Sequence, residues 1–372
     1  MSLMTLILIG KNFYYSNLNK KDNSDYIQEN NTFFLNKIKS LDSLLLVERR
    51  FYERLSLDLK KDIELVKMNS ELLVALNQFN GRNLTIEDSI PSKILDNINL
   101  LSKISLTHKK ESLKILKFSN DIKKQKIFLL KELKESAIKI TGPLEFEFLN
   151  TKYIVFIADN DIHKISLHLT DLSSNKFMSF DKLNSYLEKK AVKPLMITNG
   201  GMFHKDYSPV GLYIDEEFKL RKKLDTSSIS LDDNFHMYPN GVFCVDTSDN
   251  YFVLSTIDFK SKFSNNLNSL KIATQSGPML VIDSSIHKEF NAKSVNLQIR
   301  SGVGKVKGKN KAVFIVSSNP ESFYRTAILF RDIFSCENAL YLDGAISKIY
   351  LPGKNPNSYA GNFGPMIAVS KK

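Results

Sequence analysis

The feature that most limits what this chain can fold into is an abrupt change of texture at Thr141-Gly142-Pro143. From 31 to 140, apolar residues recur at helical spacing. Ile38, Leu41, Leu45, Tyr52, Leu55, Leu59 and Val66 follow at steps of three, four or seven, and Leu113, Leu116, Ile127, Leu130 and Ala137 repeat the habit. Phe79-Asn80-Gly81 and Ile90-Pro91 interrupt the run, where glycine and proline end helices. The pattern predicts a long helical hairpin or small bundle. It carries no ionisable pair suited to catalysis, so a spacer or partner-binding arm is its default reading.

After the break, short β-rich runs follow one another at 153–158, 165–169, 195–198, 210–214, 242–245, 252–257, 279–282, 312–317, 340–342 and 366–369. Helical stretches interrupt them at 180–190 and 323–334. Regular βαβ alternation is missing, which disfavours a doubly wound sheet. The expectation is an α+β fold, a mixed β-sheet domain with few flanking helices, preceded by the all-α region. The predicted divisions are an N-terminal segment over 1–30, the helical region over 31–140 and a β-rich domain over 141–372.

With 42% hydrophobic and 10% aromatic residues the chain can bury a substantial core. Its net charge of +12 is spread out, with 24 basic and 17 acidic residues up to Ile140 and +5 in the rest. Nucleic-acid binding needs a concentrated basic face, so no nucleic-acid partner is expected. Cys244 and Cys336 are too few for a disulfide framework and have no metal-type spacing, so each reads as a buried free thiol. The apolar start MSLMTLILI lacks a basic leader and a small-residue cleavage site and is too short to span a bilayer. A trimmed anchor or a short packed segment both fit it.

Glycines of the second part stand beside polar residues at predicted strand ends. The turns are Asn199-Gly200-Gly201, Asn240-Gly241, Gln275-Ser276-Gly277, Arg300-Ser301-Gly302, and Asp343-Gly344 with Ser347 close behind. Glycine lets a ligand approach backbone N–H groups, and strand ends are where sites form. Asn-Gly and Asp-Gly are also ordinary hairpin turns; for Asn240 the two readings balance, and for the group the recurrence favours a site. GVGKVKGKNK (302–311) lacks the spacing and the Ser or Thr of a phosphate loop. Of six scattered histidines only His204 adjoins one of these turns.

The order NGGMF (199–203), SPVGLYI (208–214), PNGVF (239–243), ATQSGPMLVID (273–283), IRSGVG (299–304), NALYLDGAISKIY (338–350) and FGPMIAV (363–369) resembles the phosphodiester glycosidase family. The likeness is strongest to its bacterial branch. It covers about residues 150–370 and leaves the helical region outside. Ser301 stands where the branch commonly has Asn, and Ser284 where Gly is usual; neither removes a charge.

The resemblance implies a hydrolase that cleaves the glycosidic bond of a sugar-1-phosphodiester, releasing a sugar from a phosphate-linked glycan or envelope polymer. A phosphate diester leaves as a stable anion, so one carboxylate suffices where ordinary glycosidases need two. Asp343 is implied as that carboxylate, and Arg300 as a bidentate phosphate clamp, an ion pair with Asp343 being the competing reading. Asn199, Asn240, Gln275, Ser276 and Ser347 would hydrogen-bond phosphate or sugar. Gly200, Gly201, Gly277 and Gly344 would present amides, and Asp206 would be a second acid. No cofactor or metal follows. Members are often exported, which points to the periplasm or cell envelope, with membrane association through the N-terminus. The helical region would serve as a spacer or join copies of the chain. The alternative function is a non-catalytic module binding sugar phosphates or wall polymers on a helical stalk.

Overall fold

The computed structural model describes residues 23–80, 92–215, 219–226, 237–343, 346–353 and 361–372. Met1 to Ile9 and Gly344 lie outside them. The chain divides into two compact units, residues 39–131 and the remainder on either side. Helix α1 spans Asn23–Asn80 and α2 spans Ser92–Ala137, so α1 ends just before Gly81 and α2 begins just after Pro91, the residues that break the pattern. No described helix is long and apolar enough to cross a membrane.

Within residues 39–131 the helices run back along each other. Phe51 meets Phe118 at 5.0 Å between ring centroids, and Lys126 Nζ lies 3.3 Å from Glu48 Oε2. The inward seam of α2 is centred on Ile115, Ile122 and Leu129. Leu113 and Ile127, expected in the apolar stripe, are instead 61% and 69% exposed, and Tyr52 and Leu116 also face outward. At 100° per residue Leu113 falls on the opposite side of the helix from Ile122.

In the other unit Phe34, Ile38, Leu133, Ala137 and Ile140 are buried, and the Phe34 ring lies 5.8 Å from that of Phe334. Truncation by Phe34→Ala is expected to cost about 3–5 kcal/mol, read from the shift of the urea unfolding midpoint; a shift within error would show that this helix end contributes little.

Three sheets build the rest of this unit. A seven-stranded sheet has the order β1 (Gly142–Phe148), β2 (Thr151–Asp159), β13 (Lys311–Ser317), β12 (Ser301–Val306), β14 (Cys336–Tyr341), β10 (Met279–Ile282) and β11 (Ser285–Ile286). A five-stranded sheet has β6 (Lys219–Lys222), β5 (Tyr213–Asp215), β9 (Leu270–Ser276), β7 (Gly241–Asp246) and β8 (Tyr251–Ser255). A four-stranded sheet has β15 (Ile349–Tyr350), β4 (Pro194–Asn199), β16 (Met366–Lys371) and β3 (His163–His168).

The α+β class holds, but the sheets are not mixed: every strand pairing among the described residues is antiparallel. Parallel neighbours need long crossovers, usually helical, and the chain has few helices to supply them. Side chains from all three sheets meet in one core that includes Phe156, Phe314, Phe243, Ile165 and Ile367. Helix α3 (Phe180–Lys189) covers the four-stranded sheet through Phe180, Leu183 and Leu187. Helix α4 (Thr256–Phe263) covers the five-stranded sheet through Phe259 and Phe263.

Two local expectations change. The run 252–257 ends as a strand at Ser255, whose hydroxyl accepts from Asp258 N at 3.1 Å and caps α4. The helix expected over 323–334 is α5 (Phe323–Ile328) followed by a single wide turn at Leu329–Ile333. The glycine-rich stretch after Arg300 is the central strand β12. A Cβ on Gly304 would stand 2.6 Å from both Cys336 Sγ and Phe330, so glycine there serves packing.

Candidate active site

The ends of β4, β9 and β14 and the start of β12 meet at one place, because β12 runs antiparallel to β14 with Gly302 opposite Tyr341. Asn199 closes β4, Ser276 closes β9, Ser301 opens β12, and Leu342-Asp343 leaves β14. Their polar atoms converge on the Asp343 turn. Ser301 Oγ donates to Asp343 O at 2.7 Å, and the same oxygen accepts from Asp343 N at 3.3 Å. Asn199 Nδ2 donates to Ser301 Oγ at 2.9 Å, while Asn199 Oδ1 accepts from Lys348 N at 3.2 Å. Ser347 Oγ donates to Asp343 O and lies 3.1 Å from Ser301 Oγ. Ser276 Oγ donates to Leu342 O, and Leu342 N donates to Ser301 O at 3.1 Å.

Asn199, Ser276, Ser301 and Ser347 are all buried, whereas Asp343 is half-buried. The network therefore fixes the backbone of Asp343 from several sides. Tyr341, two residues earlier, is buried; burial pushes its phenol above the ordinary range, Arg300 opposes that rise by charge and hydrogen bond, and the Asp343 charge adds the smallest upward push.

Several residues expected to touch a ligand hold the protein together instead. Arg300 is 1% exposed, and its Nε donates to Glu321 O at 2.9 Å and its Nη2 to Asn296 O at 3.1 Å. Its Nη1 lies 3.4 Å from Tyr341 OH, and the guanidinium carbon stands 3.9 Å above the Phe323 ring. The phosphate-clamp expectation is thereby corrected: along β12 neighbouring side chains alternate, so Ser301 faces the Asp343 turn and Arg300 the opposite side.

Gln275 shows the same alternation. Thr274 Oγ1 accepts from Gly201 N at 3.2 Å and Ser276 reaches Leu342, while Gln275 Oε1 accepts from Leu212 N and Asp225 N, each at 2.9 Å. Gln275 clasps two loop segments and is not free to bind sugar. Gly200 N donates to Pro365 O at 2.7 Å, so the amides of Gly200 and Gly201 are both occupied. A Cβ on Gly201 would sit 2.3 Å from Gln275 O; close strand packing is what requires that glycine. Gly277 is buried in the turn whose Pro278 O accepts from Tyr341 N at 3.1 Å. Asn240 is buried, with Oδ1 accepting from Thr256 Oγ1, which ties β7 to the start of α4.

Asp206 is corrected as a second acid. It is exposed, its carboxylate accepts from Ser208 Oγ at 2.7 Å and Ser208 N at 3.1 Å, and these bonds hold it below the usual carboxylate range. A proton donor needs the opposite shift. His204 is exposed and its Nε2 lies 3.3 Å from Lys222 Nζ.

Two participants were missed by sequence reasoning. Ser301 stands in the IRSGVG motif, where the sequence alone marks it only as a substitution for Asn. Glu321 is fully buried and accepts from Thr151 Oγ1, Tyr153 OH and Ser322 N while pairing with Arg325 Nε at 3.3 Å. It stands in no motif, and its backbone carbonyl supports Arg300. Among the described residues no group of three His, Cys, Asp or Glu is placed to hold a metal ion. Cys244 and Cys336 are buried free thiols.

The network makes a stability prediction. Ser301→Ala removes the hydroxyl that accepts from Asn199 Nδ2 and Asp343 N, while Asp343 O keeps its bond from Ser347 Oγ, at an expected cost of about 1–3 kcal/mol. Equilibrium unfolding reads it directly, and an unchanged midpoint would remove Ser301 from the account.

The sequence model of the phosphodiester glycosidase family matches residues 193–368, a span that holds every member of the Asp343 network. The chain is 33% identical over 177 residues to the Escherichia coli (strain K12) protein described as "Uncharacterized protein YigE". That match covers 48% of this chain and 66% of the relative, just under two thirds of its length. A similar solved structure is the zebrafish N-acetylglucosamine-1-phosphodiester alpha-N-acetylglucosaminidase catalytic domain, auto-inhibited by its pro-peptide. It is 14% identical, with a TM-score of 0.43, over 62% of this chain and 81% of that one. Over residues 193–368 the chain is similar to the phosphodiester glycosidase family.

Proposed function

We propose that this protein hydrolyses the glycosidic bond of a sugar-1-phosphodiester. The observation that carries the reading is the carboxylate of half-buried Asp343 on a backbone held by Ser276, Ser301 and Ser347, inside the span matched to the family.

The chemistry needs little else. Breaking the bond between the anomeric carbon and the phosphate oxygen leaves positive charge on the sugar ring and a phosphate anion that departs without protonation. Asp343, as an anion beside that carbon, stabilises the developing charge or takes the proton of the attacking water. Water adds to the anomeric carbon, and the products are a free sugar and a phosphate monoester. Because the network acts on the backbone of Asp343, the carboxylate is positioned before substrate arrives, which lowers the ordering cost of the transition state.

The test is incubation with a chromogenic phosphodiester of N-acetylglucosamine 1-phosphate and a panel of other sugar 1-phosphodiesters, reading free reducing sugar. Release from one member supports the reading. Binding without release from any member would replace it with a non-catalytic module.

A further inference from the structure

With Arg300 turned into the core, the substrate's phosphate must meet another cation. Several described cations outside the two long helices are already engaged. Lys311 pairs with Asp159, Lys271 and Lys372 with Asp249, Arg325 with Glu321, and Arg331 with Asp332. Lys305 Nζ reaches two backbone carbonyls, and Lys176 Nζ donates to Asp206 O.

Lys222 is different. It ends β6, and its Nζ lies 3.3 Å from His204 Nε2, five residues beyond Asn199 in the same loop. The backbone connects the two places. Lys222 pairs with Tyr213, Tyr213 pairs with Thr274, and Thr274 Oγ1 holds Gly201 of the Asn199 turn. Two strand spacings of about 4.8 Å thus separate the backbone of Lys222 from the strand that supports that turn.

His204 is also fixed rather than trailing in solvent. Its N donates to Ser208 O and its O accepts from Tyr207 N, both at 2.8 Å. The neighbouring acid does not cancel the charge by contact, since Asp206 directs its carboxylate to Ser208. An ammonium has three donors; one points at His204 and two remain for an oxyanion. Lysine on an edge strand also discourages sheet-to-sheet pairing, and β6 is such a strand, with Lys219, Arg221, Lys222 and Lys223 in one run. That role does not call for a histidine seated against the ammonium.

We propose that Lys222 and His204 form the anion subsite that receives the phosphate group of the substrate. The inference rests on the glycosidase reading for its substrate, but the subsite can be tested without turnover. Inorganic phosphate is titrated into the full chain and followed by 31P line broadening, for wild type, Lys222→Ala, His204→Ala and Lys222→Arg. Wild type is expected to bind, Lys222→Ala to bind about tenfold or more weakly, His204→Ala several-fold more weakly, and Lys222→Arg within about threefold of wild type. Both side chains are on the surface, so thermal midpoints serve as the folding control.

With a sugar-1-phosphodiester that the protein turns over, Lys222→Ala is expected to raise KM about tenfold and leave kcat within about twofold. Turnover by wild type together with unchanged KM and unchanged phosphate affinity in Lys222→Ala would overturn the subsite while leaving the glycosidase reading intact. Absence of turnover, with phosphate binding that depends on Lys222, would overturn the glycosidase reading and support the subsite.

Discussion

Asp343→Asn is expected to lower turnover of the cognate phosphodiester by about 10³- to 10⁵-fold, with KM little changed. The exchange keeps size and hydrogen-bonding capacity and removes the negative charge. Such a loss corresponds to about 4–7 kcal/mol of transition-state stabilisation, a range that fits removal of a charge from the reacting centre. The fold is expected to survive, because Asn keeps the size and hydrogen-bonding positions of the side chain and leaves the backbone bonds of Asp343 and Leu342 in place. Kinetics with matched circular dichroism and thermal midpoints check both halves. A variant with a wild-type midpoint and more than a tenth of wild-type activity would move the reacting carboxylate elsewhere.

Arg300→Ala carries the second large expectation, and it concerns stability. A phosphate clamp at the surface would raise KM when truncated and leave the fold alone. Arg300 as found lies between Phe323 and Tyr341 and supplies donors to Glu321 O and Asn296 O. Truncation removes a large buried side chain and orphans those carbonyls, at an expected cost of about 3–5 kcal/mol. For a unit of this size the thermal midpoint is expected to fall by on the order of 10 °C. Arg300→Lys is expected to recover little, since an ammonium cannot reproduce the flat, forked contacts. Differential scanning calorimetry distinguishes the cases: a midpoint within 1–2 °C of wild type (about 0.5 kcal/mol here) joined to a raised KM would restore the clamp.

The two residues show how far the sequence could be read. Asn199, Ser276, Asp343 and Ser347 were singled out as polar residues at strand ends, and those ends do come together. Arg300 and Gln275 carried equal weight in the same motifs and face away from that point. Successive side chains on a strand point to opposite faces, so a one-residue difference decides whether a group reaches the site or the core. Which parity faces the site follows from the register of β12 on β14 in one sheet and of β9 on β5 and β7 in another, long-range properties that no local motif records. Ser301 was overlooked for a related reason. Its hydroxyl matters only because β12 places it beside Asn199 and Asp343, about 100 and 40 residues away in sequence.

The fold was legible in its texture more than its wiring. The change at Gly142, the two long helices and most of the strand runs follow from apolar spacing and breakers. β12 is hard to read because glycines stand at two of its six positions and β6 because it is only four residues long, whereas β1 alternates strictly through Leu144, Phe146 and Phe148 and was legible. On the helical hairpin, Leu113 and Ile127 fit a heptad count and still face outward. A period of three or four is shared by more than one helix face, and packing selects between them.

Hydrolysis in 18O-labelled water distinguishes cleavage at the anomeric carbon from attack on phosphorus. A sugar-1-phosphodiester turned over by the wild-type protein is expected to yield the label in the free sugar, with an unlabelled phosphate monoester. Label appearing in the phosphate, with the sugar released as its 1-phosphate, would place the attack on phosphorus and contradict cleavage at the anomeric carbon.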